Sequence, residues 1–324
     1  FFGSTLLLIA FIYLGEVNQS YEIAAAYQHK LPLVIQSLIF WAFFFAFAIK
    51  VPMWPVHTWL PDAHTEAPTA GSVILAALML KVGAYGFFRF SIPIVPEACR
   101  LFAPSMIALS LIAIVGVGLI ALRQKDLKRL IAYSSIAHMG FVTLGCFIIF
   151  LFHDKGDFIA MALHGAIIQM VAHGFSSGAL FLAFGLIYTR MHTREISDFG
   201  GLAQAMPLFS AFFVIFCLAN VGLPGTASFV GEFLVLMATF KASSSLAAIA
   251  ALTLILSASY TLWMVKRVIF GPKNTALSQL TDLDCAERGI LTLLVVAILA
   301  LGFYPNPLIQ LNQRSVQQLM LSIP

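Results

Sequence analysis

Apolar residues run along this chain in long blocks, and most polar residues are gathered between them. Blocks long enough to cross about 30 Å of hydrocarbon fall at roughly 1–15, 31–50, 69–90, 103–122, 129–151, 157–189, 206–240, 245–265 and 289–311. The pattern predicts an all-α polytopic membrane protein, a single membrane domain over residues 1–324 with about nine transmembrane helices. Two blocks do not suit one straight helix. The block 206–240 would extend about 52 Å at 1.5 Å per residue, and Gly222-Leu223-Pro224-Gly225 interrupts it. The block beginning at Leu31 continues past Lys50 to Leu60, with Pro52 and Pro55 inside it. Both are expected to be discontinuous, broken near Lys50–Pro55 and Gly222–Gly225. Such breaks survive in a bilayer only where protein or a wet cavity satisfies the freed backbone groups. In transporters they mark ion sites near the midplane.

Composition removes the soluble alternatives. The 324 residues are 60% hydrophobic and only 10% charged, against about 25% charged in a soluble domain; mean hydropathy is +0.95. The net charge of +4 is small. Its basic residues sit at helix ends rather than in one patch, so no nucleic acid is expected as a partner. Cys99, Cys146, Cys217 and Cys285 form no CxxC pair and read as small hydrophobes. The chain starts at Phe1 inside an apolar block, with no basic n-region before it. That start is not a signal peptide, and the native beginning is expected to lie outside this sequence or on another chain.

Lysine and arginine placement sets the expected orientation. Arg123–Arg129, the segment holding Arg190 and Arg194, and Lys266–Arg288 lie on alternate connections and carry ten basic residues. The intervening connections carry Lys30, Arg89, Arg100, Lys155, Lys241 and Arg314. The richer side is assigned to the cytoplasm or matrix.

Three charges fall inside apolar blocks: Lys50, Lys81 and Glu232. Lys81 lies near the middle of its block, where a lysine costs roughly 2.5–3.5 kcal/mol on insertion scales; Tyr85, at i+4, can share its face. Lys50 precedes Pro52 and Pro55, which donate no backbone hydrogen bond, so its ammonium is expected to occupy the carbonyls they free. Glu232 follows the glycine–proline break, with Thr226 or Ser228 as candidate caps of the second half-helix. Burial favours the neutral form of such groups, which lets them exchange protons. His138 lies one turn from Ser134. His164 and His173 share a block but stand half a turn out of phase, and Gln169 shares the face of His173. His57 and His64, near Asp62 and Glu66, are expected at the interface. The proton relay is therefore assigned to Lys50, Lys81, His138, His173 and Glu232, with Pro52, Tyr85, Ser134, Gln169 and Pro224 supporting it. This set titrates protons; it does not make a metal cage, because lysines repel a cation. No GxGxxG, GxxxxGK[ST], HExxH or GxSxG motif is present, so no redox site is assigned to the chain.

The segments KVPMWPVHTWLPDAHTEAPTAGSVILAALMLKVGAYGFFRF, DLKRLIAYSSIAHMGF, QMVAHGFSSGALFL and LPGTASFVGEF resemble the antiporter-like subunits of respiratory complex I, the proton-pumping NADH:quinone oxidoreductase, and among them the M type. The resemblance covers essentially the whole chain. It implies a fold of two inverted helix repeats, of which this sequence looks like the C-terminal part, with the first repeat lying elsewhere. Carried over by motif, Lys50 matches the broken-helix lysine, Lys81 the central lysine, His138 and His173 the connecting relay, and Glu232 the acidic residue of the second broken helix. The L type usually has Lys there and a long lateral helix after its core, whereas this chain runs only about a dozen residues past its last block. The resemblance implies proton translocation through the membrane, driven by quinone reduction elsewhere in the complex. NADH, FMN, iron–sulfur clusters and quinone are expected in partner subunits, with none bound by this chain. Other membrane subunits, neighbouring antiporter-like subunits and lipids are the expected partners, in a bacterial inner or mitochondrial inner membrane. Sodium/proton antiporters of the Mrp type and membrane-bound hydrogenases share these lysines and remain open, as does a purely structural subunit. A quinone-reducing role has little support, since no electron donor is encoded.

Overall fold

The computed structural model describes residues 1–152, 156–272 and 280–323. Lys155 and Lys273, counted above among the loop charges, lie outside the described residues. What is described is helical. The elements are α1 (Phe2–Asn18), the short α2 (Ile23–Gln28), α3 (Leu33–Lys50) and α4 (Trp59–Glu66), then α5 (Thr69–Ile94), α6 (Pro96–Leu122) and α7 (Leu127–Leu151). They are followed by α8 (Asp157–Met191), α9 (Pro207–Val221), α10 (Ala227–Ala242), α11 (Ser244–Val268), α12 (Cys285–Phe303) and α13 (Asn306–Ser322). Seven are long and apolar enough to cross a membrane by themselves; α1 and α9 are shorter apolar helices. Counting α9 and α10 as one interrupted crossing, nine crossings are present among the described residues. The chain is an integral membrane protein.

Both expected breaks are present. α3 ends at Lys50, and 51–58 form turns before α4 starts at Trp59. α9 ends at Val221 on Gly222, whose φ of +82° suits a residue without a Cβ, and the helix resumes at Ala227. Thr226 stands at the cap position, but its hydroxyl donates to Leu223 O at 2.7 Å and makes no cap bond, so the capping expected of it is not made. Ser228 turns its hydroxyl to Ser176 Oγ at 3.4 Å. The last block, expected as one span to residue 311, is cut at Tyr304–Pro305. Pro305 and Pro307 cannot continue the amide ladder, so the crossing ends at Phe303. The amphipathic α13 then follows, filling what was expected to be a short tail.

α7 is almost wholly buried and α12 mostly exposed, which puts α7 and its neighbour α8 at the centre. Lipid gives helices no hydrophobic reason to associate, so close contact depends on small residues. A Cβ on Gly231 of α10 would sit 2.6 Å from Gln169 N of α8, and one on Gly165 of α8 would sit 2.8 Å from Leu234 Cβ. Aromatic side chains fill the remaining volume: Phe40, Phe43, Phe87 and Phe147 in one cluster, Phe181, Phe209, Phe213 and Phe216 in another.

The three basic segments that alternate in the sequence meet at one end. Leu127 N donates to Arg194 O at 2.9 Å and Ile196 N to Lys125 O at 2.8 Å. Arg194 faces Asp126 at 3.4 Å, and Arg190 pairs with Glu287 at 2.7 Å. Asp126 also caps α7 by accepting from Lys128 N and Arg129 N, and Asp284 and Glu287 form a capping box on α12. Helix caps and ion pairs thus tie the same loops together.

Candidate functional site

At the centre of the bundle, α5, α7, α8 and α10 bring four titratable side chains into one line. Lys81 comes from α5, directly after a π-wound turn at Leu75–Met79. Such turns shift the backbone ladder and concentrate at functional sites. Here the ammonium reaches Ala76 O at 2.5 Å and His173 Nδ1 at 2.7 Å. His173, on α8, packs beside His138 of α7, with ring centroids 5.9 Å apart. His138 Nδ1 lies 2.6 Å from Glu232 Oε1 on α10, and Gln169 Nε2 donates to the same oxygen at 2.9 Å. Gln169, His173, His138 and Glu232 are buried. His173 Nε2, His138 Nε2 and Gln169 Oε1 are buried without a hydrogen-bond partner among the described residues. Glu232 stands opposite the break: a Cβ on Gly222 would come 3.3 Å from Oε2.

The aliphatic stem of Lys81 also borders an apolar cavity of about 630 Å³ between α5, α8 and α12, lined by Ala77, Met170, Gly174 and Phe175 among others. The charge of Lys81 is met from another helix, by His173 of α8, and by the local Ala76 carbonyl. Tyr85 is exposed and its ring meets Phe90 at 6.5 Å. It does not share the buried side that Lys81 takes, because the ammonium bends back across the π-wound turn.

Lys50 is half-buried and makes no hydrogen bond among the described residues. The carbonyl freed by Pro52, Ala48 O, accepts instead from Met53 N at 2.8 Å, and the neighbouring Ile49 O from the Trp59 indole Nε1 at 3.0 Å. The indole wins because the turns at 51–58 fold α4 back against the end of α3. Lys50 still lies beside the line: a Cβ on Gly83 would sit 2.9 Å from Lys50 Cβ and 2.7 Å from Phe47 O. Pro52 is buried within those turns and Pro224 exposed in the other break. Ser134 donates to Ile131 O at 2.8 Å, back along its own helix rather than to His138. His164 points away from the line and meets Asn312 of α13 at 2.6 Å.

His64 departs furthest from expectation. It is fully buried and stacks on Phe181, centroids 4.3 Å apart and planes at 11°. Neither ring nitrogen has a partner among the described residues. Burial, and then the nearby Lys128, push its pKa down to about 3. The cause is α4 lying over α7, where Lys128 Nζ donates to Ala67 O at 2.7 Å. His57 is likewise buried rather than interfacial.

Sequence reasoning passed over Trp59, Asn220 and the stripe Thr253, Ser257, Thr261 on α11, beside which Tyr260 is buried. The stripe's spacing of i, i+4, i+8 in an apolar helix was the signal that could have found it.

A family model described as NADH:quinone oxidoreductase/Mrp antiporter, TM, matches residues 1–257. NADH-quinone oxidoreductase subunit M of Rhodobacter capsulatus is 46% identical, the match covering 99% of this chain and 64% of that protein. NADH-ubiquinone oxidoreductase chain 4 of Marchantia polymorpha is 44% identical over 98% of this chain and 63% of its own length. The chain therefore spans just under two-thirds of these curated relatives. A chain of respiratory complex I from Thermus thermophilus superposes with a TM-score of 0.91 at 33% identity, covering 99% of this chain and 67% of that one. A chain of the Mrp complex from Dietzia sp. superposes at 0.83 with 22% identity, a likeness of fold.

Proposed function

The chain belongs to the NADH:quinone oxidoreductase/Mrp antiporter membrane family, and from that premise we propose that it forms the proton-translocating core of an M-type subunit of NADH:quinone oxidoreductase in a bacterial inner or mitochondrial inner membrane. Its partners are the other membrane subunits of that complex, including neighbouring antiporter-like subunits. NADH, FMN, iron–sulfur clusters and quinone belong to partner subunits; this chain moves protons.

One observation carries the proposal: the line Lys81–His173–His138–Glu232, closed at both ends by bonds of 2.7 and 2.6 Å. A protonated Lys81 donates to His173 Nδ1, which then carries its own proton on Nε2. An ionised Glu232 accepts from His138 Nδ1–H, which leaves His138 Nε2 as an acceptor. The two unpartnered Nε2 atoms are thus a donor and an acceptor, and one water between the rings completes the line. When Lys81 gives its proton to His173 Nδ1, the Nε2 proton leaves through that water to His138 Nε2, and the His138 Nδ1 proton passes to Glu232. Each imidazole gains one proton and loses one, ending as the other tautomer. Lys50 meets the helix of Lys81 at Gly83 and is not itself a member of the bonded line.

The test is Lys81→Arg and Lys81→Ala in the assembled complex, read as protons translocated per quinone reduced in membrane vesicles. Arginine keeps the charge but does not release its proton. Both variants are expected to lose this subunit's share of pumping while assembly persists. Full stoichiometry in Lys81→Arg would show that only a positive charge is needed and would sink the relay.

A further inference from the structure

α12 is mostly exposed: among its 19 residues only Leu291 and Ile298 are buried. It is nonetheless fastened to the interrupted crossing α9–α10 at both ends. At the basic end, α9 begins without a cap of its own. Met206 stands at the cap position and makes no side-chain bond, so the first amides of the helix need acceptors from elsewhere. Asp282, two residues before the N-cap of α12, supplies them. Its Oδ2 accepts from Leu208 N at 2.8 Å and its Oδ1 from Phe209 N at 3.1 Å. Leu291 and Ile298, two turns apart, then lie in the same apolar cluster as Phe209, Phe213 and Phe216 of α9. At its other end α12 closes on the break itself. A Cβ on Gly302 would overlap Gly225 O and lie 2.6 Å from Thr226 C. Those are backbone atoms, which cannot swing aside as a side-chain tip can. The Phe303 ring covers the same residue, 3.1 Å from a Cβ placed on Gly225.

The break needs support from outside. Gly222 and Gly225 take positive φ, +82° and +94°, and glycine is the residue freest to leave such a conformation. The backbone bonds here close short turns, Gly222 N to Ala219 O at 3.2 Å and Thr226 N to Leu223 O at 3.0 Å. Neither joins α9 to α10, so the spacing of the two half-helices is set by what packs on them. That spacing matters to Glu232, because a Cβ on Gly222 would come 3.3 Å from its Oε2. Resting on the relay reading of Glu232, we propose that α12 is a brace for this break, and that Asp282 and Gly302 are positioning residues for proton exchange at Glu232. Asp282 fixes where α9 begins, and the 15 residues of α9 put its end about 22 Å further in, at 1.5 Å per residue. Gly302 fixes where α10 resumes. The bond between His138 and Glu232 is 2.6 Å long, and a displacement of about 1 Å takes it out of hydrogen-bond range. The brace acts by holding that distance; neither residue touches the proton.

The test uses the assembled membrane complex, with Gly302→Ala, Asp282→Ala, Asp282→Asn, Gly289→Ala and Lys81→Arg compared for protons translocated per quinone reduced. A merely destabilised subunit lowers the amount of complex and scales both quantities together, leaving the ratio alone. Gly302→Ala and Asp282→Ala are expected to lower the ratio toward that of Lys81→Arg. Asp282→Asn keeps one acceptor oxygen and is expected to lose less than Asp282→Ala. Gly289→Ala, on the same helix with nothing within 4 Å of the added methyl, is expected to keep the wild-type ratio. If Lys81→Arg lowers the ratio while Gly302→Ala and Asp282→Ala leave it whole, the brace is refuted and the relay stands. Equal losses in Gly289→Ala and Gly302→Ala, or in Asp282→Asn and Asp282→Ala, would overturn the brace as well. If Lys81→Arg has no effect, the relay and the purpose of the brace fall together. Hydrogen exchange in the unmutated complex is an independent check. First-turn amides such as those of Leu208 and Phe209 have no partner in their own helix, so slow exchange there is expected from the hold of Asp282. Exchange at the rate of an open loop would overturn the brace even if every variant failed to assemble.

Discussion

His173 and His164 share a helix and differ in everything that matters to a proton. His173 is buried against Lys81 and His138; His164 is bound to Asn312 near the far end of the molecule. His173→Phe keeps an aromatic ring of similar breadth but removes both nitrogens, so the line is cut between Lys81 and His138. Protons per quinone should fall to the level of Lys81→Arg. His164→Phe loses one part-buried hydrogen bond, about 1 kcal/mol of stability, and should pump normally. Equal losses in the two variants would mean that helix packing, and not the line, is being measured. At this scale the sequence was informative wherever a charge stood in an apolar block. Lys81 and Glu232 were conspicuous for that reason, and the phase of α8 separated the two histidines. What each group touches was not legible. The bond from Lys81 to His173 depends on a π-wound turn, and the carbonyls at the end of α3 that Lys50 was expected to meet are taken by Met53 N and by an indole from another element.

Elements were legible where the backbone itself supplies the reason. Proline lacks a donor and Gly222 takes a positive φ, so both helix breaks could be read directly. The same rule applied to Pro305 and Pro307 would have ended α12 at Phe303; the apolar residues around them hid it. α4 was misplaced for a different reason: His57, Asp62, His64 and Glu66 look interfacial, but the helix folds inward and seals His64 on Phe181. A histidine whose pKa drops to about 3 from an ordinary value near 6.5 stays neutral while folded and binds a proton once unfolded. Stability is then unaffected above about pH 6.5 and falls as pH drops toward 3, by at most about 1.4 kcal/mol per pH unit. His64→Phe removes that dependence and keeps the stacking. Thermal midpoints of the complex between pH 7 and pH 5 should therefore decline less in the variant. Identical declines would show that water reaches His64 in the folded state.

Over the whole molecule, the relay proposed above is an electrical object with a charge at each end. In its starting state, with both histidines neutral, a positive Lys81 and a negative Glu232 would leave the buried segment between them with no net charge. Removing one end by Lys81→Met or Glu232→Leu strands the other in the middle of the bundle, and breaking a buried pair in this way costs about 3–5 kcal/mol. Removing both strands neither. Their mutual attraction is then lost only once, and the desolvation penalty of each remaining charge is relieved as well. The double variant should thus be more stable than the sum of the two single losses, read as the thermal midpoint of the purified complex. Additive losses would mean that each charge is compensated locally, Lys81 by the Ala76 carbonyl and Glu232 by Gln169. Proton movement along α5, α7, α8 and α10 would then have to be driven by motion of the helices rather than by the pull of one end on the other. None of the double variant's stability should return as function: with both exchanging groups gone, its yield of protons per quinone should match that of either single variant.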